Sequence, residues 1–113
     1  MPRIEIALDL IPSRGPCRVE DGRNGIVVLR NGNEITAFED VCPHAQWRLS
    51  DGDLANGVLE CPGHGWEFDT TTGRCLTVPA YCLRPVAIIR EGRHIHLITS
   101  GEPDAMLTPA KCD

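Results

Sequence analysis

The sequence predicts an all-β fold, built from short antiparallel strands as a small sandwich or barrel. Three observations carry that prediction. Eleven glycines and nine prolines punctuate a chain of 113 residues, as short strands joined by turns require. Apolar, often β-branched runs flank those turns. No stretch carries a long helical period with caps at its ends. The length suits one domain of ordinary size, burying roughly 60–68% of its unfolded surface.

The strands follow in order. Ile4 to Leu8 alternates in side-chain type and predicts a first strand, ended by Ile11-Pro12 and a turn over Ser13 to Pro16. Cys17 to Glu20 predicts a second, closed by Asp21-Gly22. Gly25 to Arg30 and Glu34 to Phe38 flank Asn31-Gly32-Asn33. Asn-Gly between apolar runs is a strong hairpin signal, because both residues accept the positive φ that the tight turn needs. Val58 to Cys61 and Trp66 to Asp69 predict a further short pair around Pro62-Gly63-His64-Gly65, with a turn at Thr70 to Gly73. Val86 to Ile89 and His94 to Ile98 predict a last hairpin around Gly92. Residues 1–101 read as one domain. Residues 102–113, with Pro103 and Pro109 and little periodicity, read as a mobile tail.

Composition excludes several function classes. A net charge of −5 opposes binding to phosphate backbones and to anionic membrane surfaces. Aromatic residues at 4% leave little for a base-stacking platform. No apolar run approaches the roughly 20 residues that span a bilayer. Glu5 stands where an export signal needs an apolar stretch, so a cytoplasmic location is expected. Six cysteines in a reducing compartment point to metal before disulfides.

Two clusters carry the chemistry: Cys42-Pro43-His44 and Cys61-Pro62-Gly63-His64. Each supplies one thiolate and one imidazole from a tight loop. The prolines fix their own φ and bias the preceding cysteines toward extended backbone. Gly63 and Gly65 allow close backbone approach to a bulky inorganic core, where their amides can donate to sulfide. Two Cys and two His admit a tetrahedral zinc site or a [2Fe–2S] centre with Cys on one iron and His on the other. Zinc patterns usually pair Cys with Cys and His with His. Here both clusters are mixed, which fits the two-iron centre.

These clusters, with Gly65-Trp66 following, resemble the Rieske motif. The likeness extends from Ile26 to Leu97: a hairpin, Phe38 to Val41 entering the first loop, Leu49-Ser50-Asp51-Gly52, the second loop, Phe68-Asp69, Thr72-Gly73, Pro79 and a final hairpin. The resemblance implies a Rieske iron–sulfur fold: an antiparallel β-sandwich base with an inserted cluster-binding part over about residues 40–81. It implies one [2Fe–2S] cluster, with Cys42 and Cys61 on one iron and His44 and His64 on the other. High-potential members carry a bracing disulfide at positions that here are Trp47 and Gly63, and cluster-directed hydroxyls at positions that here are Trp66 and Phe68. Their absence implies a potential at the low end of the Rieske range, about −150 mV.

A catalytic oxygenase subunit would need a second iron held by two His and a carboxylate. Only His94 and His96 remain, on a strand face expected to be solvated. No Gly-rich dinucleotide fingerprint is present. The resemblance therefore implies an electron carrier rather than an enzyme. Its partners would be a flavin-containing NAD(P)H reductase and a terminal oxygenase acting on aromatic or alkene hydrocarbons, a dioxygenase or a related monooxygenase. The alternative is a small Rieske subunit of an NADH-dependent nitrite reductase. Asp40, Asp51, Asp53 and Glu67 lie near the loops as candidate docking charges. Trp66 is expected to pack the second loop on the base, and Trp47 either to pack or to rim the cluster. Cys17, Cys75 and Cys82 read as small apolar side chains and Cys112 as a tail thiol.

Overall fold

Ile26-Val27-Val28-Leu29 has no hydrophilic face, and a strand with that pattern must be buried on both sides. All four residues are at most 1% exposed. They sit in β3 (Ile26–Asn31), the middle of a three-stranded antiparallel sheet with β2 (Cys17–Val19) and β4 (Glu34–Glu39). The structure, a computed structural model, describes residues 3–11, 15–20, 25–32, 34–43, 47–63 and 65–98. The tail expected over 102–113 lies outside them.

Successive side chains of a strand point to opposite faces, so β3 feeds two cores. Ile26 and Val28 join Ile6, Ile11, Ala37, Ile95 and Leu97 in an aliphatic core. That core lies between this sheet and a second one, ordered β1 (Arg3–Ala7), β9 (His94–Ile98), β8 (Ala87–Glu91). Val27 and Leu29 join Phe38, Cys42, Leu49, Leu59, Cys61, Phe68, Cys75 and Leu83 on the other face. There the covering sheet is β5 (Asp53–Ala55), β6 (Val58–Glu60) and β7 (Glu67–Asp69). The two sheets on the first core form the expected sandwich base, and the third sheet caps it.

The predicted strands all form within a residue or two of their expected bounds, and the hairpin register across Gly32 pairs Ile26 with Glu39 through Asn31 with Glu34. The sequence reading missed β5. Asp and Ala are poor strand formers, and three residues show no period. Yet Ala55 pairs with Val58 across Asn56 and Gly57, at φ 53° and 77°. This is the same Asn-Gly signal used for the first hairpin, present but flanked by too short a run to stand out. Two 3-10 turns, Leu8–Leu10 and Leu49–Asp51, were also not foreseen.

Side-chain hydrogen bonds anchor the third sheet to the base. The Thr36 hydroxyl donates to the Thr70 carbonyl at 2.7 Å, and the Thr70 hydroxyl donates to the Gly57 carbonyl at 2.9 Å. Thr70 is buried, so these bonds are not exchanged for water.

Candidate metal centre

The two cysteine loops leave the core in the same way. The Cys42 N–H donates to the Trp47 carbonyl at 2.8 Å, and the Cys61 N–H donates to the Trp66 carbonyl at 2.7 Å. Each loop thus spans six residues, is closed at its stem by one backbone bond, and begins on a cysteine. In the second loop Gly65 N–H also donates to the Cys61 carbonyl at 3.1 Å. Chain order places His44 inside the first loop and His64 inside the second. Both histidines lie outside the described residues.

Cys42 and Cys61 are free thiols, 0% and 1% exposed, and they pack in one apolar cluster with Leu49, Leu59 and Phe68. Sequence positions 19 residues apart are joined here because β5 and β6 fold back between the loops. Two soft thiol donors on the buried side suit an iron–sulfur core better than a hard cation. The donor set therefore fits the cluster that the sequence motif implies.

Trp47 and Gly63 face each other across the loops. A Cβ added to Gly63 would run into the Trp47 indole, so glycine is what lets the ring come this close to the second loop. Trp47 thus packs on the second loop while remaining 49% exposed. Trp66 packs as expected. It lies against the apolar cluster and pairs with Tyr81, ring centroids 5.6 Å apart and tilted by 47°.

The residues named as docking charges separate. Asp51, Asp53 and Glu67 are exposed. Asp40 is buried, bonded to Ser50 and Arg18, so it cannot serve as a surface charge. Sequence proximity to the loop did not distinguish it from its neighbours; Arg18, 22 positions away, was the missing signal.

Elsewhere, Ile95 and Leu97 are buried while His94 is exposed. His96 is half-buried, its Nε2 3.9 Å from a Glu91 carboxylate oxygen. Cys75 is buried, its sulfur accepting from Val78 N–H at 3.2 Å. Burial pushes the Cys17 thiol above its ordinary pKa. Cys82 departs from the expectation of a plain apolar side chain, being disulfide-bonded. Among the described residues no helix is long and apolar enough to cross a membrane.

Comparison with known proteins places this geometry. The chain is 39% identical over 85 residues to the ferredoxin component of biphenyl 2,3-dioxygenase from Rhodococcus jostii (strain RHA1), covering 74% of this chain and 78% of that one. The ferredoxin of carbazole 1,9a-dioxygenase from Nocardioides aromaticivorans IC177 shares the fold at a TM-score of 0.76, 23% identity, over 86% of this chain and 97% of that one. A structure described as a complex of reduced oxygenase and oxidized ferredoxin in carbazole 1,9a-dioxygenase matches at a TM-score of 0.76 and 26% identity, covering 84% and 91%. Against larger relatives the chain spans little: 12% of the chloroplastic protein TIC 55 of Pisum sativum and 21% of the methylxanthine N1-demethylase NdmA of Pseudomonas putida. The Rieske [2Fe–2S] domain profile matches residues 6–90. With two like cysteine loops on one core and an all-β fold of three antiparallel sheets, the chain belongs to the Rieske [2Fe–2S] family.

Proposed function

We propose that this protein is a cytoplasmic one-electron carrier, not itself a catalyst. It would pass electrons from an NAD(P)H-dependent flavin reductase to a terminal oxygenase acting on aromatic or alkene hydrocarbons. Cys42 and Cys61 would hold one iron of the cluster, and His44 and His64 the other. The observation that carries the reading is the pair of equivalent loops, each opening on a buried cysteine and containing one histidine. When bound, the cluster supplies a single reversible electron at a potential in the lower Rieske range.

The chain's own residues supply the rest. Cys42 and Cys61 lie among Leu49, Leu59 and Phe68, which exclude water from the thiolate side. The sequence sets each thiol and imidazole two or three residues apart, and the stem bond closes the loop that carries them. Trp66 and Phe68 offer no hydroxyl to sulfur, and fewer hydrogen bonds to sulfur favour the oxidised form. An acidic carrier with exposed Asp51, Asp53 and Glu67 suits brief encounters with basic partner surfaces.

The nitrite-reductase alternative has a likeness of fold at 17% identity behind it, and the ferredoxin reading has a 39% identical relative over most of both chains. Two measurements test the proposal. His44→Ser and His64→Ser should each keep the β-sheet circular dichroism and lose visible colour and the reduced-state EPR signal. The reduced protein, mixed with a flavin reductase, NADH and an aromatic-ring oxygenase, should support product formation in proportion to its concentration. Colour retained in both variants would refute the ligand set, and turnover independent of the protein would refute the carrier role.

A further inference from the structure

A carboxylate with no exposed surface stands two residues before Cys42. Asp40 Oδ1 accepts the Ser50 backbone N–H at 2.7 Å, and Oδ2 accepts both the Ser50 hydroxyl and Arg18 Nη1. Its own N–H donates to the Gly25 carbonyl at 3.0 Å. Arg18 comes from β2, in the base. Its Nε is held by Glu20 at 2.7 Å, and both acids keep the guanidinium protonated, Glu20 foremost. Asp40 and Ser50 bracket the first ligand loop on either side. One buried carboxylate therefore joins three segments: the base strand, the entry to the loop and the turn that leaves it.

Such a pair is seldom repaid in stability alone. Desolvating two charges offsets most of their attraction, and apolar residues of similar volume often do as well. Its placement suggests another use. Across two residues the Cα atoms of Asp40 and Cys42 are within about 7 Å. The Asp40 carboxylate is fully buried, so its charge acts on near neighbours through a low dielectric and is little screened by salt. Reduction adds one negative charge to the cluster. Asp40 opposes that charge and Arg18 favours it.

We infer that the Arg18–Asp40 pair is a positioning device for the first ligand loop whose two opposed charges also hold the reduction potential of the cluster. The inference rests on the proposal that Cys42 is a ligand. Asp40→Asn keeps the shape and the acceptor for Ser50 N–H while removing the negative charge, so the potential should rise. Arg18→Gln leaves the carboxylate unneutralised, so the potential should fall. The double variant should return toward the wild-type value.

Midpoint potentials by EPR-monitored dye titration at pH 7 provide the readout, with iron content per chain measured alongside. A role confined to folding predicts no such opposition in sign. Single-variant potentials that match wild type, or that move in the same direction, would overturn the inference. Where Asp40→Asn does not fold, Arg18→Gln decides the matter, and an unchanged or raised potential counts against it. Cys42→Ser keeps the two questions apart: a variant that still carries a full cluster sinks the ligand assignment, whatever the pair does.

Discussion

The two cores that share β3 are made of different materials. The base core holds Ile6, Ile11, Ile26, Val28, Ala37, Ile95 and Leu97, aliphatic throughout, between five strands of five or six residues and the short edge strand β2. The other core holds Phe38, Phe68 and three cysteines beneath strands of only three residues. Strands that short do not persist by themselves. They are kept by the underside of β3 and β4, by the Thr36–Thr70–Gly57 bonds, and by the stem bonds of the loops. The comparison teaches that the base stores stability while the cap converts it into a fixed separation of two cysteines.

The largest expected effect separates the two cores directly. Phe68 is fully buried on a three-residue strand, and Phe68→Ala should cost about 3–5 kcal/mol and strip the cluster. Ile95 is equally buried on the base side. Ile95→Ala should cost about 2–5 kcal/mol, yet its folded molecules should keep full iron content. Urea melts followed by far-ultraviolet dichroism and by visible absorbance read both quantities. Loss of colour from Ile95→Ala at urea concentrations that leave its dichroism unchanged would erase the distinction.

Next in size is the contact between the loops. In Gly63→Ala the new methyl group meets the Trp47 indole, and overpacking of that kind costs typically 1–3 kcal/mol. Because Trp47 is half in solvent, the ring can swing out instead. The expected signature is a shifted tryptophan emission and faster bleaching of the cluster by a chelator, with the base melting as in wild type. Trp47→Ala should bleach at a similar rate, since it removes the same contact from the other side.

What was legible in the sequence follows the same division. Strands of the base showed themselves through the apolar run at Ile26 to Leu29 and the alternation of His94 to Ile98, because burial on one or two faces writes a local period. The loops showed themselves through Cys-Pro-His and Cys-Pro-Gly-His, where chemistry demands fixed residue types. β5 did not, because Asp53-Leu54-Ala55 is held by pairing with β6 rather than by propensity. Nor did the burial of Asp40, which depends on an arginine 22 positions away. The nearness of Trp47 and Gly63, 16 positions apart and on different loops, was legible only through the family resemblance, in which a disulfide joins those two positions. Local patterns reveal what each segment becomes; contacts between segments leave no mark on either one.

A single hydrogen bond gives a smaller test of how the cap is tied down. Thr70→Val keeps the volume and removes the hydroxyl that donates to the Gly57 carbonyl. That carbonyl still accepts the Thr70 backbone N–H at 3.0 Å, so it is not orphaned. The loss should be near the usual net worth of one such bond, about 1 kcal/mol, read as a lower urea midpoint with unchanged slope. Thr36→Val should cost a similar amount, because its hydroxyl bond to the Thr70 carbonyl crosses from base to cap.

The smallest effect belongs to the exposed arm of the charge network. Arg18, by hydrogen bond first and by charge second, holds the Glu20 carboxyl below its ordinary pKa. A depressed folded-state pKa means that the ionised form is favoured by folding. The contribution is therefore complete above the unfolded value of about 4.3 and disappears as pH falls through the lower folded value. Glu20 is largely exposed, and exposed pairs are weak and screened by salt. The difference in urea midpoint between wild type and Glu20→Gln should thus be small, equal at pH 7 and pH 6, and reduced by added salt. A difference that already declines between pH 7 and pH 6 would mean that a histidine, not this carboxylate, governs it.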